Sequence, residues 1–165
     1  VLCERLARQE PDRADYQRDL SVSCIKMGDL MCDAGEGEQA RVYYQKSLEI
    51  RERLARQEPD RADYQRDLSV SCDRMGDLMR AAGEGEQARV YYRQSLEIAE
   101  RLARQEPHRA DYQADLVLSL WRMGDRESLQ RALTILHRLN RERKLTAEQR
   151  GWIPVFEAAL TKLKP

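Results

Sequence analysis

The chain has 165 residues, and its 29 Lys and Arg balance 29 Asp and Glu to a formal net charge of zero. Apolar residues make up 41% and charged ones 35%, with no run of 18 apolar residues and no charged segment leading into an apolar one, so neither a membrane span nor a secretory signal is legible. The even charge lacks the basic footprint of a nucleic-acid binder and the acidic tail of a solvating segment.

The four cysteines, Cys3, Cys24, Cys32 and Cys72, form no C-x-x-C pair, and His108 and His137 lie at no metal-ligand spacing from them. Cys24 and Cys32 are roughly 12 Å apart along a helix, too far for a disulfide. Reduced thiols in a cytoplasmic protein are expected.

Self-similarity organises the rest. Glu4–Arg51 reads ERLARQEPDRADYQRDLSVSCIKMGDLMCDAGEGEQARVYYQKSLEIR, and Glu52–Ala99 repeats it with seven differences in 48 positions. A third copy opens at Glu100 with ERLARQEPHRADYQADLVLSLWRMGD and then departs. The chain begins inside a copy, because Leu2 aligns with Ile50 and Ile98, and it has no initiator Met. A piece of a longer array is therefore expected, with the end of a truncated preceding helix at 1–10.

Each copy predicts two helices. Tyr16, Leu20, Cys24, Met27 and Met31 draw one helical stripe, and Gly35 supplies a left-handed stop. A second stripe runs through Ala40, Tyr43, Tyr44, Ser47, Leu48, Leu54 and Ala55 until Pro59 ends it. Asp60 or Asp63 offers the next N-cap, and the short turn at Gly35-Glu36-Gly37 makes the two helices antiparallel. In copy three Gly124 to Ala132 spans eight residues where the other copies span twelve, while Ala132, Leu133, Leu136 and Leu139 still mark a second helix. Thr146–Gln149 is a capping box ahead of a final stripe through Trp152, Phe156, Leu160 and Leu163, with a kink or restart expected near Ile153 because of Pro154.

These residues resemble the tetratricopeptide repeat, whose pattern is W-x2-L-G-x2-Y, then A-x3-F, then Pro. The matching letters are Cys24, Met27, Gly28, Met31, Ala40 and Tyr44, and in copy two Cys72, Met75, Gly76, Met79, Ala88 and Tyr92. The period of 48 exceeds the family's usual 34. Lengthening each helix by a heptad accounts for the gap, because seven residues drift only about 20° in phase. Elongated repeats similar to those of kinesin light chains are the nearest in kind. The resemblance implies an all-α, right-handed superhelical solenoid of antiparallel helical hairpins with a C-terminal capping helix. Its parts are repeat 1 at 12–58, repeat 2 at 60–106, a shortened repeat 3 at 108–140 and the cap at 146–164, one array over 1–165.

The seven differences are Ile25/Asp73, Lys26/Arg74, Cys32/Arg80, Asp33/Ala81, Gln45/Arg93, Lys46/Gln94 and Arg51/Ala99. The second-helix swaps read as changes on a solvated face. In the family the first helix lines the concave groove, and the resemblance carries its ligand positions onto Val22, Ile25, Asp29, Cys32 and Asp33 in copy one. In copy two they fall on Val70, Asp73, Asp77, Arg80 and Ala81, and in copy three on Leu118, Trp121 and Asp125. Two readings stand: a groove diversified to read a partner, or exposed positions drifting because nothing packs on them. The family's clamp for a C-terminal carboxylate uses Lys and Asn where this chain has Ile25, Asp73, Trp121 and Asp29, Asp77, Asp125, so that clamp is not supported. A row of Asp favours a partner with basic residues, whereas Arg18 and Arg66, one turn earlier on that face, favour a surface ion-paired within itself. Trp121 reads either as an anchor or as packing under the final helix.

Catalytic chemistry has little to stand on. GEGEQ carries two carboxylates that repel phosphate and is not followed by Lys-Ser/Thr, the Tyr43-Tyr44 and Tyr91-Tyr92 pairs sit at core spacing, and His137 has no Ser or Cys partner nearby in sequence. A non-catalytic protein- or peptide-binding scaffold module is expected, without cofactor, metal, nucleic acid or membrane. The alternative is a structural spacer or self-association module of a larger signalling protein, pairing through the open N-terminal edge.

Overall fold

The computed structural model describes residues 2–163, without the side chains of Leu2 and Cys3. The expectations placed on Val1, Lys164 and the Leu2 and Cys3 side chains lie outside the described residues. Among these residues the chain is all-α, with α1 Leu2–Gln9, α2 Ala14–Asp33, α3 Gly37–Gln57, α4 Ala62–Ala81, α5 Gly85–Gln105, α6 Ala110–Met123, α7 Arg126–Arg141 and α8 Ala147–Lys162. The chain divides into two compact units, residues 1–95 and 96–165, with the division inside α5.

In the first unit α1 packs on α2, α2 on α3, and α3 on α4, so consecutive helices stack as helix-turn-helix repeats. The turns close as the sequence implies. Gly35 adopts φ 76° and Gly83 φ 81°, and each turn makes the paired bonds of a Schellman motif, Glu36 N to Met31 O and Gly35 N to Cys32 O at 2.8 and 3.0 Å in the first. Leu20, Cys24, Ala40, Tyr44, Leu48 and Leu54 form the buried side of repeat 1, and Tyr64, Leu68, Cys72, Met75, Met79, Ala88 and Tyr92 that of repeat 2. The glycine inside each first helix has a separate task. A Cβ on Gly28 would lie 2.3 Å from the Tyr44 ring, and one on Gly76 would lie 2.4 Å from the Tyr92 ring. Only glycine lets the two helices of a hairpin approach this closely with an aromatic ring between them.

Three expectations are corrected. The N-cap of α4 is Arg61, not Asp60 or Asp63, and no side chain bonds the cap amides. Arg61 instead folds over the turn, donating to both oxygens of Asp63 at 2.9 and 2.8 Å and stacking 4.1 Å from the Tyr64 ring centroid. Arg13 with Asp15 and Tyr16, and Arg109 with Asp111 and Tyr112, repeat the device. Asp63 thus sits in the first turn, where its charge favours the positive end of the helix dipole while the guanidinium neutralises it. Arg51 is not on a solvated face either: it is 4% exposed and donates to Ser21 Oγ at 2.9 Å and to the Asp67 carbonyl at 2.7 Å. Finally, of the kink or restart expected near Ile153 the restart is absent, because α8 runs unbroken through the exposed Pro154.

A buried glutamine recurs near the start of α2, α4 and α6. In the first unit Gln17 Nε2 donates to the Ala7 carbonyl at 3.0 Å and Gln65 Nε2 to the Ala55 carbonyl at 3.2 Å; in the second, Gln113 Nε2 donates to the Ala103 carbonyl at 3.1 Å. Carbonyls in the last turn of a helix have no intrahelical partner, and these side chains satisfy them.

In the second unit α6 packs on α7 and α7 on α8 around Val117, Leu120, Leu129, Ala132, Leu136, Leu139 and Phe156. The shortened α6 stops at Gly124, φ 71°, and Asp125 caps α7 at once, so copy three keeps its hairpin with a minimal turn. The capping box at the head of α8 is present, with Thr146 Oγ1 accepting from Gln149 N at 3.2 Å and Gln149 Oε1 accepting from Thr146 N at 3.0 Å.

Candidate functional site

The first helices of repeats 1 and 2, α2 and α4, touch one another in the first unit. That contact brings most of the sequence-selected residues of copies one and two to neighbouring helices. Ion pairs stitch the two helices together. Arg18 reaches Asp67 at 2.5 Å and Asp63 at 3.2 Å, and Arg74 reaches Asp29 at 3.1 Å. Their side chains are about a quarter to two fifths exposed, so each pair contributes roughly 0–1 kcal/mol.

The aspartates also hold the second helices. Tyr44 of α3 donates its hydroxyl to Asp29 at 2.6 Å, and Tyr92 of α5 donates to Asp77 at 2.7 Å. Burial, and then the Asp29 carboxylate beside it, push the Tyr44 hydroxyl far above the ordinary tyrosine range, so it stays a proton donor. Arg80 completes the second cluster, 3.3 Å from Asp77 and 5.7 Å from the Tyr92 ring centroid. Asp29 and Asp77 are thus engaged acceptors rather than an open acidic row.

What this face presents outward is narrower than the sequence positions imply. Val22 and Val70, at the same place in the two repeats, are 37% and 40% exposed. Cys32, Asp33, Arg80 and Ala81 are exposed at the far ends of the two helices, while Arg66 and Asp73 are half-buried. Ile25 is 8% exposed and belongs to the core. Leu118, Trp121 and Asp125 lie in the second unit. Trp121 is half-buried with its ring 4.5 Å from that of Phe156 in α8, so it packs under the final helix. Asp125 accepts from Ser128 N at 2.9 Å and from Ser128 Oγ at 2.8 Å, which makes it the N-cap of α7.

Sequence reasoning missed Arg51 and the partners Asp63 and Asp67. The signal for Arg51 was present: it continues the spacing Ser47, Leu48, Arg51, Leu54, Ala55 of a buried stripe. Its charge made it read as surface. Burial moves the Arg51 guanidinium down from its ordinary range, and the Ser21 and Asp67 oxygens compensate the desolvation.

Thiol chemistry separates by burial. Cys72 is pushed up to about 12, first by burial and then by the Asp73 charge, and burial also raises Cys24, so both are inert packing groups at neutral pH. Cys32 is exposed, with its sulfur 3.6 Å from the Tyr44 hydroxyl. His137 stands 3.7 Å from Glu157 with both side chains about half exposed, an arrangement without a nucleophile to activate. Among the described residues no three His, Cys, Asp or Glu side chains gather to hold a metal ion, and no helix is long and apolar enough to cross a membrane.

The Arg–Asp turn clamp sets a pH expectation. Hydrogen bonding from Arg61, and secondarily the charges of Arg61 and Arg18, hold Asp63 below its ordinary 3.8. A depressed carboxylate contributes stability that is present above 3.8 and is lost as the pH falls through the lower folded-state value. In a carbon-detected NMR titration Asp63 should protonate below pH 3.8, and Arg61→Ala should raise its midpoint more than Arg18→Ala does. An Asp63 midpoint at its ordinary value would remove the clamp from solution.

No curated protein matches the chain. Two segments, residues 20–55 and 68–105, match the tetratricopeptide repeat family. They coincide with the α2–α3 and α4–α5 hairpins, where Gly28 lies against Tyr44 and Gly76 against Tyr92 at the family's Gly and aromatic positions. With that helical repeat in sequence and in structure, residues 20–55 and 68–105 are tetratricopeptide repeats.

Proposed function

We propose that the chain is a non-catalytic protein- or peptide-binding scaffold module that holds its partner on the face lined by the first helices of its repeats. Tetratricopeptide repeats are in general scaffolds for protein interaction, and this chain carries two matched ones. The observation that supports the reading is the pair Val22 and Val70, apolar, exposed, and repeated at one position of two touching helices. Apolar side chains at equivalent places on neighbouring helices suit an extended segment that makes regularly spaced contacts. The differences between the copies supply the selectivity. Cys32 against Arg80 and Asp33 against Ala81 are exposed at the helix ends, whereas the buried residues of the hairpins differ only at Ile25/Asp73 and Arg51/Ala99. A partner with apolar groups for the valines and a basic group directed at Asp33 fits this surface. Free thiols at Cys24, Cys32 and Cys72 suit a reducing, cytoplasmic setting.

A Val22→Glu, Val70→Glu double variant tests the reading, because both positions are exposed and both substitutions suit a helix. With helicity unchanged, the variant should lose, by at least tenfold in affinity, a partner that the parent chain holds in affinity capture. The cross-helix pairs Arg18–Asp63, Arg18–Asp67 and Arg74–Asp29 favour a second reading, a structural spacer whose surface is satisfied within itself. Recovery of the same proteins by both forms would select the spacer.

A further inference from the structure

The turns ahead of α2, α4 and α6 share one sequence: Glu10–Arg13 and Glu58–Arg61 read EPDR, and Glu106–Arg109 reads EPHR. In each the arginine is neutralised on the spot. Arg13 pairs with Glu10 and Asp15, Arg61 with Glu58 and Asp63, and Arg109 with Glu106 and Asp111. The turn ahead of α8 departs from that template. Arg141–Lys144 reads RERK, and residues 138–150 carry five Lys and Arg against two Glu in a chain of zero net charge. Lys144 takes Glu142 at 2.7 Å. The side chains of Arg141 and Arg143 are exposed and make no ion pair or hydrogen bond among the described residues.

Backbone conformation singles out one of them. Arg143 has φ 57°, in the left-handed region, where the other positive-φ residues among those described are Gly35, Gly83 and Gly124. The Arg143 amide donates to Asn140 O at 3.0 Å and the Lys144 amide to Leu139 O at 2.9 Å, the same Schellman geometry as at Gly35. An L side chain is strained there and glycine is not. An arginine kept in that conformation points to a use for its side chain. The turn is also well fixed: Leu145 is buried, Arg150 Nη1 donates to Leu145 O at 3.0 Å, and the capping box holds Thr146. Its two free guanidinium groups are thus carried on a preorganised backbone.

The neighbouring turn has changed in the same sense. Arg138 of α7 donates to Gln113 Oε1 at 2.7 Å, which brings the end of α7 beside the start of α6. The turn there carries His108 where the other copies carry Asp12 and Asp60. The Lys144 hydrogen bond, and after it the charges of Lys144, Arg138 and His108, hold the Glu142 carboxyl below its ordinary range, so these groups lie close together. Two departures from the repeat, one adding bases and one removing an acid, therefore meet at one end of the second unit.

We infer that the α7–α8 turn, with His108 beside it, docks an acidic peptide segment, a run of Asp or Glu in a partner protein whose carboxylates pair with Arg141 and Arg143. The planar guanidinium fork donates two parallel bonds to a carboxylate. Nucleic acid fits less well, because it is held along a stripe of many phosphate contacts and this patch is one turn wide in a neutral chain. The site lies in the second unit and does not depend on the reading of the first-helix face at Val22 and Val70.

A heteronuclear NMR titration of the full chain with octaglutamate tests this, at physiological ionic strength, where distant charges are screened. Saturable shifts are expected at the amides of residues 142–146, at the His108 ring and at the Nε–H groups of Arg141 and Arg143. Arg141→Ala with Arg143→Gly should lower the affinity at least tenfold while keeping the fold, because glycine suits the left-handed position. His108→Asp, which restores the residue of the other copies, should weaken binding as well. A control that removes the same charge, Arg56→Ala with Arg89→Ala at exposed positions of the first unit, should leave it unchanged. Val22→Glu with Val70→Glu should also leave it unchanged, so the two surfaces can fail separately. The site is overturned by absence of saturable shifts, by shifts centred on other residues, or by unchanged affinity in the Arg141, Arg143 variant. An equal loss in the Arg56, Arg89 control overturns it too, because net charge alone would then be at work. Tighter binding of octathymidylate than of octaglutamate at these residues overturns the acidic peptide as occupant and makes the patch a nucleic-acid contact.

Discussion

An alanine at Gly76 is expected to lower stability by about 1–3 kcal/mol, the usual cost of forcing extra volume into a filled interior. The new Cβ would lie 2.4 Å from Cε1 and 2.6 Å from Cδ1 of Tyr92. Those are ring carbons, not the tip of a flexible chain, and the ring is 3% exposed with its hydroxyl donating to Asp77 at 2.7 Å. To admit a methyl the ring must move, and moving it stretches that bond and parts α4 from α5. Intrinsic propensity acts the other way, since alanine is a better helix former than glycine by about 1 kcal/mol. Steric overlap wins because no real contact is as short as these. Gly151 supplies the sign reversal: it is exposed within α8 with nothing near its would-be Cβ, so Gly151→Ala should stabilise by up to about 1 kcal/mol. Urea denaturation followed by circular dichroism reads both. An unchanged midpoint for Gly76→Ala would mean the hairpin is looser in solution than in the structure.

Phe156→Ala is expected to cost about 3–5 kcal/mol, the range for removing a buried aromatic ring. Phe156 is the one buried residue of α8, 3% exposed, and its ring lies 4.5 Å from Trp121 and tilted 43° to it. Truncation therefore takes away the anchor of the last helix and uncovers the half-buried indole together. In a Trp152→Phe background, where Trp121 is the remaining tryptophan, its emission should shift to the red as water reaches it. A stable Phe156→Ala protein with unshifted emission would show that Trp121 does not depend on α8 for cover, and would return it to the pool of partner anchors.

The repeat made most of the fold legible. Two near-identical stretches of 48 residues, with helical stripes broken by Gly35 and Pro59, are sufficient for antiparallel hairpins, and the structure has them. The Gly–Tyr contact is implied by the family pattern, and the Thr146–Gln149 box was readable as letters alone. Local reading failed where a side chain's role depends on another helix. Asp63 looks like an N-cap by type, but Arg61 outcompetes it by folding back over Asp63 and Tyr64 together. Arg51 looks like surface by charge, but Ser21 and the Asp67 carbonyl, both on other helices, make its burial tolerable.

The site divides in the same way. Sequence by itself determined which positions lie on the first helices and which of them vary between copies, because helical phase and internal comparison need nothing beyond the letters. Tertiary structure decided which of those positions are available. Ile25 is turned into the core, Asp29 and Asp77 are taken by tyrosines of the second helices, Asp125 is spent as a cap, and Trp121 lies against Phe156, while Val22 and Val70 remain outward. Exposure and partnership are properties of what a neighbouring helix brings within a few ångströms, and a one-dimensional pattern carries the phase of a residue but not its neighbour.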